Sequence, residues 1–149
     1  MDWTRDGCMV SDDPGRLDWE ALLGLLAGTA WAADRPRALT ERAVARSAWV
    51  GLYARAGAGW RQVGFARAVT DEATFAWLCD VVVHPDYRGR GLGRWMVGCL
   101  LEHPRLQTLS QYLRTETASG LYESLGFQRV EVLRRSRRDG GPQGSATTR

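Results

Sequence analysis

The sequence predicts an α/β protein: one domain with the element order βααβββαβαβ. Three observations carry this. Residues 48–83 hold three β-rich runs joined by short turns. Two apolar stripes at helical spacing precede them. Downstream, helical and strand-like stretches alternate.

The elements follow in order. Cys8-Met9-Val10-Ser11 reads as a first strand, and Asp12-Asp13-Pro14-Gly15 as a turn. From Leu17 to Leu26, apolar residues at Leu17, Ala21, Leu22, Leu25 and Leu26 form a helical stripe. Asp18 marks its start and Gly28 its end. Thr29 to Arg35 is a loop rich in Trp and Ala. Pro36 opens a second helix running to about Ser47, with Leu39, Ala43 and Val44 on one face. Ala48 to Ala54, Gln62 to Val69 and Phe75 to Val83 are strands. Gly57-Ala58-Gly59 and Thr70-Asp71-Glu72 join them, which predicts an antiparallel meander. A helix from Gly91 to about Glu102 ends before Pro104. Tyr112 to Thr115 reads as a strand, Ala118 to Leu125 as a helix and Phe127 to Leu133 as a last strand. Asp139 to Arg149 is rich in Gly, Ser and Thr and has no apolar periodicity. The expected domain therefore spans 1–138, with 139–149 as a disordered tail.

Composition narrows the function classes. At 149 residues, 44% hydrophobic and 25% charged, the chain suits one water-soluble domain. No apolar run is long enough to span a bilayer, so no membrane partner is expected. The N-terminus has no basic segment followed by an apolar one. Cys8, Cys79 and Cys99 are odd in number and lack metal-ligand spacing. These features predict a cytoplasmic protein with free thiols and no metal. The net charge is +3 and the pI about 9.0. Much of that charge comes from Arg134, Arg135, Arg137 and Arg138, a solvated segment, so nucleic acid is not an expected partner. Lys, Ile and Asn are absent, which points to a GC-rich bacterial genome and warns against reading function into the Arg count.

The richest segment is Val81-Val82-Val83-His84-Pro85-Asp86-Tyr87-Arg88-Gly89-Arg90-Gly91-Leu92-Gly93-Arg94. A strand, a glycine-rich turn and a helix N-terminus together make an anion cradle. Backbone N–H groups and the positive end of the helix dipole converge there. Without Lys the segment is no Walker loop, and its glycines miss the dinucleotide spacing.

What stands there, Arg88-x-x-Gly91-x-Gly93, resembles the pyrophosphate-binding motif of the GCN5-related N-acetyltransferase (GNAT) family. A second segment, Ala118-Ser119-Gly120-Leu121-Tyr122-Glu123-Ser124-Leu125-Gly126-Phe127, is similar to that family's Ala-x-x-Leu-Tyr-x-x-x-Gly-Phe signature. The resemblance covers roughly residues 8 to 134 and is sharp in these two segments. It implies the acyl-CoA N-acyltransferase fold, an α+β mixed sheet splayed between the third meander strand and 112–115. It also implies acetyl-CoA as cosubstrate. The backbone of Val81, Val82 and Val83 would hold the pantetheine arm, and Arg88, Gly89, Arg90, Gly91, Leu92, Gly93 and Arg94 the pyrophosphate. Relatives often carry Asn seven residues before the Tyr of the second signature. Thr115 stands there, as a weaker candidate contact.

The implied reaction is acetyl transfer to a primary amine of a small molecule by direct attack in a ternary complex. A protein or peptide acceptor, or a non-catalytic acyl-CoA-binding regulatory domain, is the alternative. The chemistry requires a neutral amine, donors for an oxyanion and a proton for the departing thiolate. Tyr122 is the candidate acid, by resemblance. Relatives place a carboxylate on the strand before the loop, but Trp77 and Cys79 occupy those positions here. Asp80 is the strand's one carboxylate, readable as a base or as a structural hydrogen-bond acceptor. Trp31, Arg35, Trp77 and Arg114 are candidate acceptor contacts on position alone. Either a monomer or a homodimer is compatible with the sequence.

Overall fold

The computed structural model describes residues 1–136. The expected tail at 139–149 lies outside them, as do the last residues of the expected domain. The elements are β1 (Asp2–Arg5), β2 (Cys8–Ser11), α1 (Trp19–Ala27), α2 (Arg37–Ala45), β3 (Ser47–Ala56), β4 (Gly59–Thr70), β5 (Phe75–Val83), α3 (Leu92–Leu101), β6 (Ser110–Tyr112) and α4 (Ser119–Glu123). One six-stranded sheet runs β1-β2-β3-β4-β5-β6. Every neighbouring pair is antiparallel except β5 and β6, which are parallel, so the sheet is mixed as predicted. Among the described residues no helix is long and apolar enough to cross a membrane.

Local chemistry sets the helix ends. The Asp18 carboxylate accepts from the Ala21 amide at 3.0 Å and caps α1, and Gly28 closes the same helix. Pro36 stands just before α2, where its missing N–H costs nothing. The sheet's two faces bury separate cores. On one face Leu92, Met96, Val97 and Leu100 of α3 pack on Val50, Leu52, Ala66, Ala68, Ala76 and Leu78. On the other, Leu22, Leu25 and Leu26 of α1 and Val44 of α2 pack on Phe65 and Val82. Each fully buried large side chain contributes roughly 1.5–3 kcal/mol.

Three expectations need correction. The strand expected at Tyr112 to Thr115 lies earlier, as β6 at Ser110–Tyr112, where it pairs with Phe75, Ala76 and Trp77. The first strand is half of a hairpin: Asp2–Arg5 pairs with Cys8–Ser11 around Asp6 (φ 47°) and Gly7 (φ 76°). Its burial pattern is almost wholly exposed, so no hydrophobic alternation announced it. The expected last strand at 127–133 is not a strand among the described residues. Val130 and Val132 share the alternation of a strand but remain 65% and 53% exposed, and Leu133 is 90% exposed. The pattern is right, but no edge takes it: β6 is three residues long and pairs with β5 alone.

The meander holds one irregularity that matters for the site. Register shifts between the Phe65–Val82 and Arg67–Cys79 pairs, and Asp80 there has φ 51°. This is a bulge, one extra residue in β5. Before it, Ala76 and Leu78 face the α3 core. After it, Val81 and Val83 pack on that core, and Val82 joins the α1–α2 side. The bulge thus turns the strand's alternation over at Asp80.

Candidate active site

Beyond β5 the chain makes a 3₁₀ turn, Pro85–Tyr87, then the glycine-rich loop, then α3. Gly89 (φ 74°) and Gly91 (φ 73°) occupy the left-handed region, where a Cβ is strained. Gly91 is the N-cap of α3 and supplies no capping side chain, so the first N–H groups of the helix stay available. A Cβ built on Gly91 would meet nothing within 4 Å, so the loop faces open space. Arg88 Nε donates to the Val83 carbonyl at 2.9 Å and folds the loop back on the strand. The Arg90 guanidinium lies over the Tyr87 ring, 5.5 Å from its centroid. These features fit a pyrophosphate: free backbone donors, a helix N-terminus and room for close approach.

The strand leading into the loop has an open edge. β6 pairs with β5 only at Phe75, Ala76 and Trp77. From Leu78 to Val83, among the described residues, the β6 side of β5 has no strand partner. Backbone groups there can pair with an extended ligand.

Tyr122 lies in α4. The helix closes with a Schellman motif. The Gly126 amide (φ 94°) donates to Glu123 O at 3.0 Å, and the Phe127 amide to Tyr122 O at 3.1 Å. That turn brings the Phe127 ring edge-on to Tyr122, with centroids 5.8 Å apart. The Gly-Phe pair of the second signature therefore fixes the ring four residues upstream. Tyr122 is 9% exposed, and its hydroxyl makes no hydrogen bond among the described residues. Burial pushes its pKa above the ordinary tyrosine value, so the phenol stays protonated at neutral pH.

Tyr122 lines an open cleft of about 1490 Å³ with Trp77, Tyr112, Arg114, Thr115 and Phe127. Trp77 and Tyr112 stack there, centroids 6.3 Å apart. Thr115 Oγ1 accepts from the Ala118 amide at 3.0 Å and organises the start of α4. The glycine-rich loop is outside the cleft lining. Arg94 joins the two: its guanidinium donates to Ser124 Oγ at 3.1 Å and to Ser124 O at 3.2 Å, tying the first turn of α3 to the end of α4.

A different group surrounds Asp80. Arg35 donates to its two oxygens at 2.7 and 3.0 Å, Arg67 Nε at 2.7 Å and Trp31 Nε1 at 3.0 Å. The Asp80 side chain is 2% exposed, against 10% for Arg35 and 9% for Arg67. Burial alone would raise its pKa. Arg35 and Arg67 outweigh burial and hold the carboxyl below its ordinary range.

The sequence-predicted residues thus fall into three places. The cradle from Arg88 to Arg94 follows the open strand Val81–Val83. Tyr122, Thr115, Trp77 and Arg114 line one cleft. Trp31, Arg35 and Asp80 form a buried cluster on the α1–α2 face. Sequence reasoning missed Arg67, although a lone Arg inside Val63-Gly64-Phe65-Ala66-Arg67-Ala68-Val69 signals a buried cation in need of a carboxylate. It also missed Ser124, for which no sequence signal exists.

Comparison with known proteins gives a consistent picture. Residues 48–129 match the acetyltransferase (GNAT) domain model. A Gibberella zeae protein bearing an acetyltransferase name is 36% identical over 118 residues, 68% of this chain and 67% of its own length. The [ribosomal protein bS18]-alanine N-acetyltransferase of Salmonella typhimurium is 40% identical over 81 residues, 50% of this chain; the match spans about half of that enzyme. A crystal structure from Xanthomonas campestris, described as belonging to the GNAT family, superposes with a TM-score of 0.79 at 35% identity. It covers 97% of this chain and 100% of its own.

Proposed function

The chain belongs to the GNAT acetyltransferase family and is an N-acetyltransferase, and on that premise we propose the following site. Acetyl-CoA, the family's cosubstrate, lies along the open edge of β5 with its pyrophosphate on the cradle. The acetyl group passes directly to a primary amine in a ternary complex. The observation that carries this is the continuity of an unpaired strand edge with a left-handed, open glycine turn at a helix N-terminus.

Acetyl-CoA supplies an acetyl group already activated as a thioester. The residues of this chain do the rest. The backbone of Val81, Val82 and Val83 pairs with the extended arm of the cosubstrate. Gly89, Arg90, Gly91, Leu92 and Gly93 present amide N–H groups to the pyrophosphate. Arg88 and Arg94 hold the loop, one on β5 and the other on α4. Tyr122 delivers a proton to the departing sulfur. Its unpartnered hydroxyl and raised pKa suit a neutral acid. Thr115 supports α4, and Trp77 and Arg114 line the acceptor side of the cleft.

Of the two readings of Asp80, we adopt the structural one. A carboxylate already accepting four charge-assisted or indole hydrogen bonds is a poor proton acceptor. The amine then has to lose its proton to water, which favours a weakly basic amine. An α-amino group, with an ordinary pKa near 8, meets this better than a lysine side chain near 10.4. This bears on the amine and not on the size of the acceptor, and we keep a small molecule carrying such an amine as the first reading. A peptide N-terminus is the second reading, favoured by the likeness to two bS18-alanine N-acetyltransferases, 37% and 40% identical. A panel of free amino acids, alkyl amines and alanine-initiated peptides, scored by thiol release from acetyl-CoA, tests both. Acetylation of an α-amine at the fastest rate is expected. Turnover of lysine side chains alone would reverse the acceptor assignment.

A further inference from the structure

The cluster around Asp80 is more than a paired charge. It joins three segments. Trp31 and Arg35 come from the connection between α1 and α2, Arg67 from β4 and Asp80 from the bulge of β5. Arg67 Nη1 also donates to Ser47 Oγ at 3.1 Å, and Ser47 Oγ donates to Ala43 O at 2.7 Å, in the last turn of α2. The bulge residue is left-handed, a conformation that Asp and Asn tolerate better than other side-chain-bearing residues. A buried ion pair is weak evidence for stability, because desolvation offsets the attraction. Three charges placed where three segments meet fit a geometric role better.

We propose that Asp80, Arg67 and Arg35 form a positioning clamp that fixes the α1–α2 connection against the bulge of β5 and so sets the acceptor wall. The inference rests on the acetyltransferase reading for what that wall does, but not for its geometry. The clamp acts through placement: none of its three residues touches the reacting atoms. Trp77 and Cys79 present the same face of β5 as the connection, since Ala76 and Leu78, which alternate with them, point to the α3 core. A shift of the connection therefore changes the space beside them, where an amine approaches.

The charge count makes the clamp asymmetric. Two guanidiniums share one carboxylate. Arg35→Gln leaves Arg67 and Asp80 as a balanced pair. Asp80→Asn keeps shape and tolerates the left-handed backbone, but strands two buried cations. Asp80→Asn should therefore be the more damaging, and Arg35→Gln the cleaner probe of position.

Amide hydrogen exchange of full-length Arg35→Gln is the test, with acetyl-CoA calorimetry and steady-state kinetics on the amine panel. Exchange at 29–35 should rise about tenfold or more, the order expected for losing charged hydrogen bonds. Acetyl-CoA affinity should stay within about threefold. Acceptor KM should rise about tenfold while kcat keeps its pH profile, which general loss of stability would not do selectively. Unchanged exchange at 29–35 with unchanged acceptor KM would overturn the clamp. So would loss of the acidic limb of the kcat profile in Asp80→Asn at normal KM, which would make Asp80 the base. If no amine in the panel turns over in the unaltered protein, the acceptor reading fails. Exchange at 29–35 then decides the clamp by itself.

Discussion

The two halves of the sheet are built differently. From β2 to β4 each strand has a partner on both sides, and the core residues Val10, Val50, Leu52, Val63 and Phe65 are fully buried. Past β5 the pairing shrinks to three residue pairs, α4 has five residues, and Val130, Val132 and Leu133 face solvent. The closed half supplies rigidity. The open half leaves unpaired backbone on β5 and room beside Tyr122. Binding groups lie where secondary structure is incomplete, held by a neighbour in which it is complete.

Substitutions separate the halves. Tyr122→Phe should give the largest effect, and on turnover alone. It removes one hydroxyl and keeps the ring against Phe127, so loss of the acid should slow the chemical step ~10²–10⁴-fold, roughly 3–5 kcal/mol in the barrier. Acetyl-CoA affinity should hold within a few-fold, and an acetyl thioester with a better leaving group should partly rescue the rate. Phe65→Ala in the closed half should do the reverse. It should cost about 3–5 kcal/mol of stability by denaturant titration and leave the turnover of the protein that remains folded nearly intact. Equal losses of stability in both variants would erase the distinction between halves.

Gly91→Val should have an intermediate effect. A branched Cβ at φ 73° strains the loop and fills the space open to the pyrophosphate. Calorimetry should show acetyl-CoA affinity down about ten- to a hundredfold, worth roughly 1.4–2.7 kcal/mol, in a protein that still folds. The pH profile sharpens the picture further. Tyr122 acts protonated and burial raises its pKa, so activity should persist as pH rises through the ordinary tyrosine range and fall only above it. Tyr122→Phe should lack that alkaline limb. Smallest of all, Leu133→Ser should change stability by less than about 0.5 kcal/mol, because the side chain is already in solvent.

The sequence announced the two halves unequally. The meander was legible because short turns and β-branched runs act locally, and Asp18 and Gly28 mark a helix by chemistry alone. The cradle and the Tyr122 helix were legible because Gly89, Gly91 and Gly126 sit where φ must be positive. Asp80 was seen, but its state was not. That state depends on Arg67, its near neighbour across the bulge, and on Arg35, 45 residues away in sequence. No periodicity encodes such a meeting. The 127–133 segment failed for the opposite reason: its alternation is that of a strand, but an edge to receive it is a tertiary fact.

The central claim is the location of acetyl-CoA, along the open edge of β5 and on the loop that follows it. Amide hydrogen exchange with and without saturating acetyl-CoA tests this most directly. Protection should rise at 78–95, across the unpaired edge, the glycine turn and the first turn of α3, and stay unchanged in β1, β2 and β3. Binding with no added protection at 78–95, or with protection confined to another part of the chain, would contradict it.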